Sequence, residues 1–147
     1  MQKRTDSVSK EKRSEIMRSV RSRGNKVTEL AMVKLFRQHK IKGWRRHLAL
    51  AGKPDFVFFD QRVALFVDGC FWHGCTRHCR MPKGNSAYWN PKIASNKIRD
   101  SRVNRALRRA GWRVLRIWEH QLARKSQQRC MARITRTLSS ALRTKFS

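Results

Sequence analysis

At 147 residues the chain suits a single core, and its 36 Lys+Arg against 9 Asp+Glu give a formal charge of +27. Cations run through every segment, which points to a polyanion as partner. No apolar run approaches the roughly 20 residues of a membrane-spanning helix, and the opening MQKRTDSVSKEKR has no apolar signal core, so cytoplasmic residence is expected.

Residues 1–13 read as a basic arm and 14–147 as one domain. Ile16, Met17 and Val20 predict a short amphipathic helix from about Ser14 to Val20. Val27, Leu30, Ala31 and Leu35 predict a second, with Gly24-Asn25 between them. After Gly43-Trp44 the pattern turns to strands: a run ending near Leu50, a turn at AGKP, then DFVFF, a turn at DQR, and VALFV, together an antiparallel meander. A long helix is predicted from Tyr88 to Ala110, closed by Gly111, and WRVLRIW then reads as a strand buried on both faces. A last helix carries Met131, Ile134, Leu138 and Leu142. The order α-α-β-β-β-α-β-α implies an α/β fold, a mixed sheet flanked by helices.

Three of the four cysteines, two of the five histidines and a Phe-Trp pair fall within VDGCFWHGCTRHC, Val67 to Cys79. In a reducing compartment, clustered thiols favour metal over disulfides. Cys70, Cys75 and Cys79 are near enough in sequence for one loop to wrap a tetrahedral zinc ion. His120, directly after LRIWE, is the candidate fourth ligand, with His78 and Cys130 as competitors. Four protein ligands leave no open position, so such a site is structural and catalysis must lie beside it.

In so basic a chain, acids on apolar faces stand out, because burying an uncompensated charge is costly. Asp55 opens a hydrophobic strand and Asp68 ends the next. Paired as a hairpin, they bring two carboxylates to one end of the sheet, a geometry suited to Mg²⁺. On the long helix, Ile93, Asn96, Asp100, Val103 and Leu107 share one stripe, so Asn96 and Asp100 face inward. Asp100 is placed to fix a histidine tautomer, and His73 is the nearest candidate. Glu29 holds the comparable position beside Leu30 and Val33. The plain alternative for each acid is an edge charge paired with one of the many arginines.

GKPDFVF, VDGCFWHGCTRHC, YWNPKIASNKIRD and GWRVLRIWEHQL, in that order between about Ser14 and Leu122, resemble the very-short-patch-repair (Vsr) DNA mismatch endonuclease family. The resemblance implies a restriction-endonuclease-like fold related to the PD-(D/E)xK nucleases. It also implies Mg²⁺-dependent nicking of double-stranded DNA on the 5′ side of the thymine in T:G mismatches, which arise when 5-methylcytosine deaminates. Under it, Asp55 and the Val67 carbonyl are the Mg²⁺ ligands, His73 is the catalytic histidine with Asp100 as partner, and Glu29 is a supporting acid. Cys70, Cys79 and His120 match zinc positions, and Cys75 best fits the remaining one. Phe71, Trp72 and Trp89 resemble aromatics that intercalate from one groove, and Met17 and Val20 residues inserted from the other. Lys92 and Asn96 match positions that read the base edges of the mismatch. The chain departs from the family at Asp68, which stands where a second active-site histidine is found and is a candidate metal ligand, and in a longer cysteine loop.

In this reading His73 activates water, Asp100 orients its ring, and Mg²⁺ polarises the phosphate. Phosphates carry no sequence information, so discrimination of T:G rests on deformability, a mismatched step unstacking at lower cost. Two other readings stand beside it: a non-catalytic zinc-stapled DNA-binding protein, and a double-strand restriction-type nuclease of the same fold. A monomer is expected, because one mismatch lacks two-fold symmetry. A bacterial nucleoid-associated location follows from the implied substrate; mismatch-repair proteins are candidate partners, and the sequence does not fix whether the chain acts alone or with them.

Overall fold

The computed structural model describes residues 9–79 and 86–145, with the backbone alone described for residues 10, 13, 16–27 and 145. Ser9 opens helix α1 (Lys10–Gln38), its side-chain oxygen accepting the Lys12 backbone N–H at 3.2 Å. The sequence pattern predicts two helices here; the structure has one, running through Gly24 and Asn25. A glycine inside a helix costs only about 1 kcal/mol relative to alanine and keeps the backbone N–H that proline lacks, so the helix continues. It also takes in residues 10–13 of the expected arm. Lys40, at φ +56, ends it: the Lys40 N–H bonds Arg37 O at 3.2 Å and the Ile41 N–H bonds Phe36 O at 2.8 Å, the crossed pair of a Schellman turn.

Strand β1 is short (Trp44–Arg45) and does not reach Leu50 as the sequence pattern predicts. His47, at φ +58, breaks the extended run, so Leu48 and Leu50 pack on the opposite side of the sheet from Trp44. β2 (Phe56–Phe58) and β3 (Val63–Asp68) complete the expected antiparallel meander, with Phe56 opposite Leu65 and Phe58 opposite Val63. Helix α2 (Ser86–Arg109) then crosses over to β4 (Arg113–Trp118), which pairs parallel to β3, Phe66 beside Arg116 and Asp68 beside Trp118. A 3-10 turn (Glu119–Leu122) leads to α3 (Gln127–Lys145). The sheet order β1-β2-β3-β4 makes this the predicted mixed α/β architecture.

One face of the sheet, with Phe56, Phe58, Leu65, Val67, Leu115 and Ile117, packs on α1 and α3 through Met32, Phe36, Met131 and Ile134. The other, with Val57, Ala64 and Phe66, packs on α2 through Val103 and Leu107. β3 is thus buried on both faces, all six residues. β4 is not, although the sequence pattern predicts it: it lies at the sheet edge, only Leu115 and Ile117 are buried, and Arg116 and Trp118 stay partly open on the α2 side. On α3, Leu142 is 41% exposed and Ala141 takes the inward place.

Candidate active site and metal centre

Between the C-terminal end of β3 and helix α2 lies a cleft of about 370 Å³, lined by Asp55, Val67, Asp68, His73, Asp100 and Arg116 together with Lys53 and Arg99. Asp55 enters it from the turn before β2, where the Val67 N–H donates to its Oδ2 at 2.7 Å. Burial pushes the Asp55 carboxyl from its ordinary 3.8 up to about 7; the Val67 N–H opposes this, while a hydrogen bond and the charge of Glu29 add to it. Glu29, on α1, is held in turn by an ion pair with Arg46. Two carboxylates side by side, with the Val67 backbone next to them, form a set of oxygen donors that fits a divalent cation.

The turn after Gly69 brings the histidine in. Gly74, at φ +64, lies so close to α2 that a Cβ there would meet Lys97 Cε at 2.4 Å and Ile93 Cγ2 at 2.8 Å. This approach puts His73 Nδ1 2.6 Å from Asp100 Oδ2, with Asp68 Oδ1 at 3.7 Å from the same nitrogen. The predicted stripe on α2 holds: Ile93 and Leu107 are buried, and Asn96, Asp100 and Val103 are partly buried.

Asp68 is 5% exposed, and Arg116 Nη1 donates to both of its oxygens, at 2.9 and 3.0 Å. Burial raises the Asp68 carboxyl, and His73 and Arg116 pull it back. Arg116 stacks over the Phe66 ring at 4.2 Å, and its Nε donates to Asn104 Oδ1 at 2.8 Å. Arg116, Asn104 and Arg46 are absent from the sequence-based site. The signal was there for Arg116, a cation between the apolar pairs Val114-Leu115 and Ile117-Trp118.

Beside the cleft, one donor atom from each of Cys70, Cys75, His78 and His120 lies within 4.8 Å of the others. Cys70 Sγ is 3.1 Å and Cys75 Sγ 3.7 Å from His120 Nδ1, and Cys75 Sγ is 4.0 Å from His78 Nδ1. Tetrahedral zinc–sulfur and zinc–nitrogen bonds separate ligand atoms by about 3.3–3.8 Å, so the group fits zinc. Cys79 is not in it: its Sγ faces the Phe71 carbonyl at 3.6 Å, because the turn closed by the Cys79 N–H on Cys75 O presents His78 to the other ligands instead. Cys130 is buried on α3 within the core. Burial pushes the Cys70 thiol up to about 11, and desolvation lowers His120. The Cys70 N–H also donates to Glu119 Oε1 at 2.9 Å, tying the loop to the end of β4.

Phe71, Trp72 and Trp89 pack edge to face, centroids 5.2 to 5.7 Å apart. Phe71 and Trp72 are partly open, whereas Trp89, only 4% exposed, forms the buried base of the cluster. Lys92 lies over the Tyr88 ring at 4.4 Å and is exposed; Asn96 donates to the Trp72 carbonyl at 2.9 Å. The side chains of Met17 and Val20 lie outside the described residues.

A family model described as DNA mismatch endonuclease Vsr matches residues 5–81. The type II nicking enzyme V.XorIIP of Xanthomonas oryzae pv. oryzae is 43% identical over 125 residues, 81% of this chain and 88% of that protein. The DNA mismatch endonuclease Vsr of Escherichia coli is 34% identical over 110 residues, 73% of this chain and 69% of that protein. The type II nicking enzyme V.NaeI of Lentzea aerocolonigenes is 56% identical over 69 residues, 47% of this chain, and the match takes in 42% of that relative's length.

Proposed function

Because the chain belongs to the Vsr DNA mismatch endonuclease family, we propose that it is a strand-nicking DNA endonuclease that cuts 5′ of the thymine in T:G mismatches and depends on Mg²⁺. The observation that carries the reading is the His73–Asp100 pair at 2.6 Å, facing Asp55 across one cleft. A histidine with one ring nitrogen fixed by a carboxylate has the other free for a proton, the arrangement of a general base.

Asp55 and the Val67 carbonyl would hold the Mg²⁺ ion, which when bound polarises the scissile phosphate and offsets charge on the departing oxygen. His73 takes a proton from water while Asp100 accepts the Nδ1–H and steadies the imidazolium. The water oxygen bonds to phosphorus as the bond to the 3′ oxygen breaks, and that oxygen takes a proton from solvent, leaving a 3′-hydroxyl and a 5′-phosphate. Glu29 supports Asp55, and Cys70, Cys75, His78 and His120 would hold a structural zinc ion, which when bound would fix the loop carrying His73. Phe71 and Trp72 open the mismatched step, with Trp89 supporting them from below and Met17 and Val20 entering from the other groove. Lys92 and Asn96 read base edges, and the +27 charge binds the phosphates.

The direct test is nicking of an end-labelled duplex bearing one T:G pair in several flanking sequences, with and without Mg²⁺. A nick 5′ of the thymine that needs Mg²⁺ supports the reading. Cleavage of both strands of a fully paired duplex would favour a restriction-type nuclease, and tight binding with no nick a DNA-binding protein.

A further inference from the structure

We propose that Arg116 is a positioning residue that allots the carboxylates of the cleft, taking Asp68 for itself and leaving Asp55 as the carboxylate open to the divalent cation. This rests on the metal-dependent reading above and goes beyond it, since Asp68 by charge and place alone is a candidate ligand.

Asp55, Asp68, Asp100 and Glu29 meet at one end of the sheet. Glu29 is paired with Arg46 and Asp100 with His73. Both Asp68 oxygens accept from Arg116, and the guanidinium is itself fixed: Asn104 holds Nε, the Phe66 ring lies against it, and Nη2 is 3.6 Å from Asp100 Oδ1. The parallel register explains the meeting. Phe66 pairs with Arg116, and Asp68 lies two residues beyond Phe66, on the same face of the sheet.

A cation seeking Asp68 would have to displace a charge-assisted pair made to both oxygens. It would also need room for the waters that Mg²⁺ keeps, and the Asp68 side chain is 6% exposed. Among the described residues no ion pair holds Asp55, whose Oδ2 meets a neutral N–H. Arg116 also settles the histidine's partner. With Asp68 engaged, His73 Nδ1 is left to Asp100 at 2.6 Å and not to Asp68 at 3.7 Å.

The test is Mn²⁺ uptake by the full-length, zinc-loaded protein without DNA, followed by electron paramagnetic resonance and calorimetry, so that it does not depend on nicking. In the wild-type background Asp55→Asn is expected to weaken uptake by about 10–100-fold, and Asp68→Asn to leave it unchanged. Arg116→Met is expected to admit a further ion or to tighten uptake about tenfold, and adding Asp68→Asn is expected to reverse that gain. Weakened uptake in Asp68→Asn alone, or an Arg116→Met protein whose uptake matches wild type, overturns the proposal. Should Arg116→Met not fold, the Asp68→Asn comparison decides by itself. Wild-type protein that takes up no Mn²⁺ counts against the metal-dependent reading, and even then an Asp68-dependent site appearing in Arg116→Met supports the allotment while its failure to appear overturns it.

Discussion

Asp100 reaches across from α2 to hold His73 Nδ1 at 2.6 Å, a charge-assisted contact added to the packing of Trp89 on Phe71 and Trp72 and to the Asn96–Trp72 hydrogen bond that join the same helix and loop. The proposed chemistry depends on that contact. His73→Ala is expected to slow single-turnover nicking by about 10²–10⁴-fold. Asp100→Asn should also slow it while leaving duplex affinity near wild type, since neither residue is a phosphate-binding cation. Equal rates for Asp100→Asn and wild type, measured with saturating enzyme, would remove Asp100 from the mechanism.

Stability should respond to Asp55 in a pH-dependent way. Its carboxyl in the folded chain is raised from 3.8 to about 7, so the contribution is present below about pH 4 and lost as pH rises through 7. In zinc-loaded protein without Mg²⁺, Asp55→Asn is therefore expected to raise the melting temperature at pH 8 and to change it little at pH 4. A lower melting temperature for the variant at pH 8 would reverse the sign of this argument.

The metal centre makes a prediction about cysteines. Cys75→Ser and His120→Ala should lose bound zinc and melt at lower temperature, whereas Cys79→Ser should retain a full complement, because its thiol faces the Phe71 carbonyl. Zinc content by mass spectrometry after desalting checks this. Because burial holds the Cys70 thiol up at about 11, zinc binding must expel its proton, and affinity should fall as pH is lowered.

The three aromatics should divide into two behaviours. Trp89→Ala, which empties a site 4% exposed, is expected to cost about 3–5 kcal/mol of stability. Trp72→Ala and Phe71→Ala, partly open, should barely change melting but lower affinity for the T:G duplex, by about 1–3 kcal/mol if each stacks on a base. Thermal melts set beside binding isotherms with T:G and T:A duplexes separate the two.

Much of this was legible in the sequence because local patterns carry it. The apolar runs DFVFF and VALFV with the DQR turn between them set the meander, the inward stripe on α2 placed Asp100, and the spacing around Phe71-Trp72 marked the loop. What the sequence hid depends on partners far apart in the chain. Arg116 could be read as one more cation until the parallel register set it against Asp68. The choice between Cys79 and His78 turned on a single tight turn, which residue spacing does not resolve. The break at His47 came from a positive φ that nothing in the local composition demanded.

The tie between Cys70 and His120 spans 50 positions and encloses all of α2. Closing so long a loop is entropically slow, and a parallel strand pair is among the last contacts a small domain forms. Every residue assigned to the cleft before β4 can be synthesised and still lack its geometry until the segment through His120 has docked. Assembly of the site is thus expected late in folding, and in stopped-flow refolding added zinc should speed recovery of the final structure more than it speeds the earlier collapse.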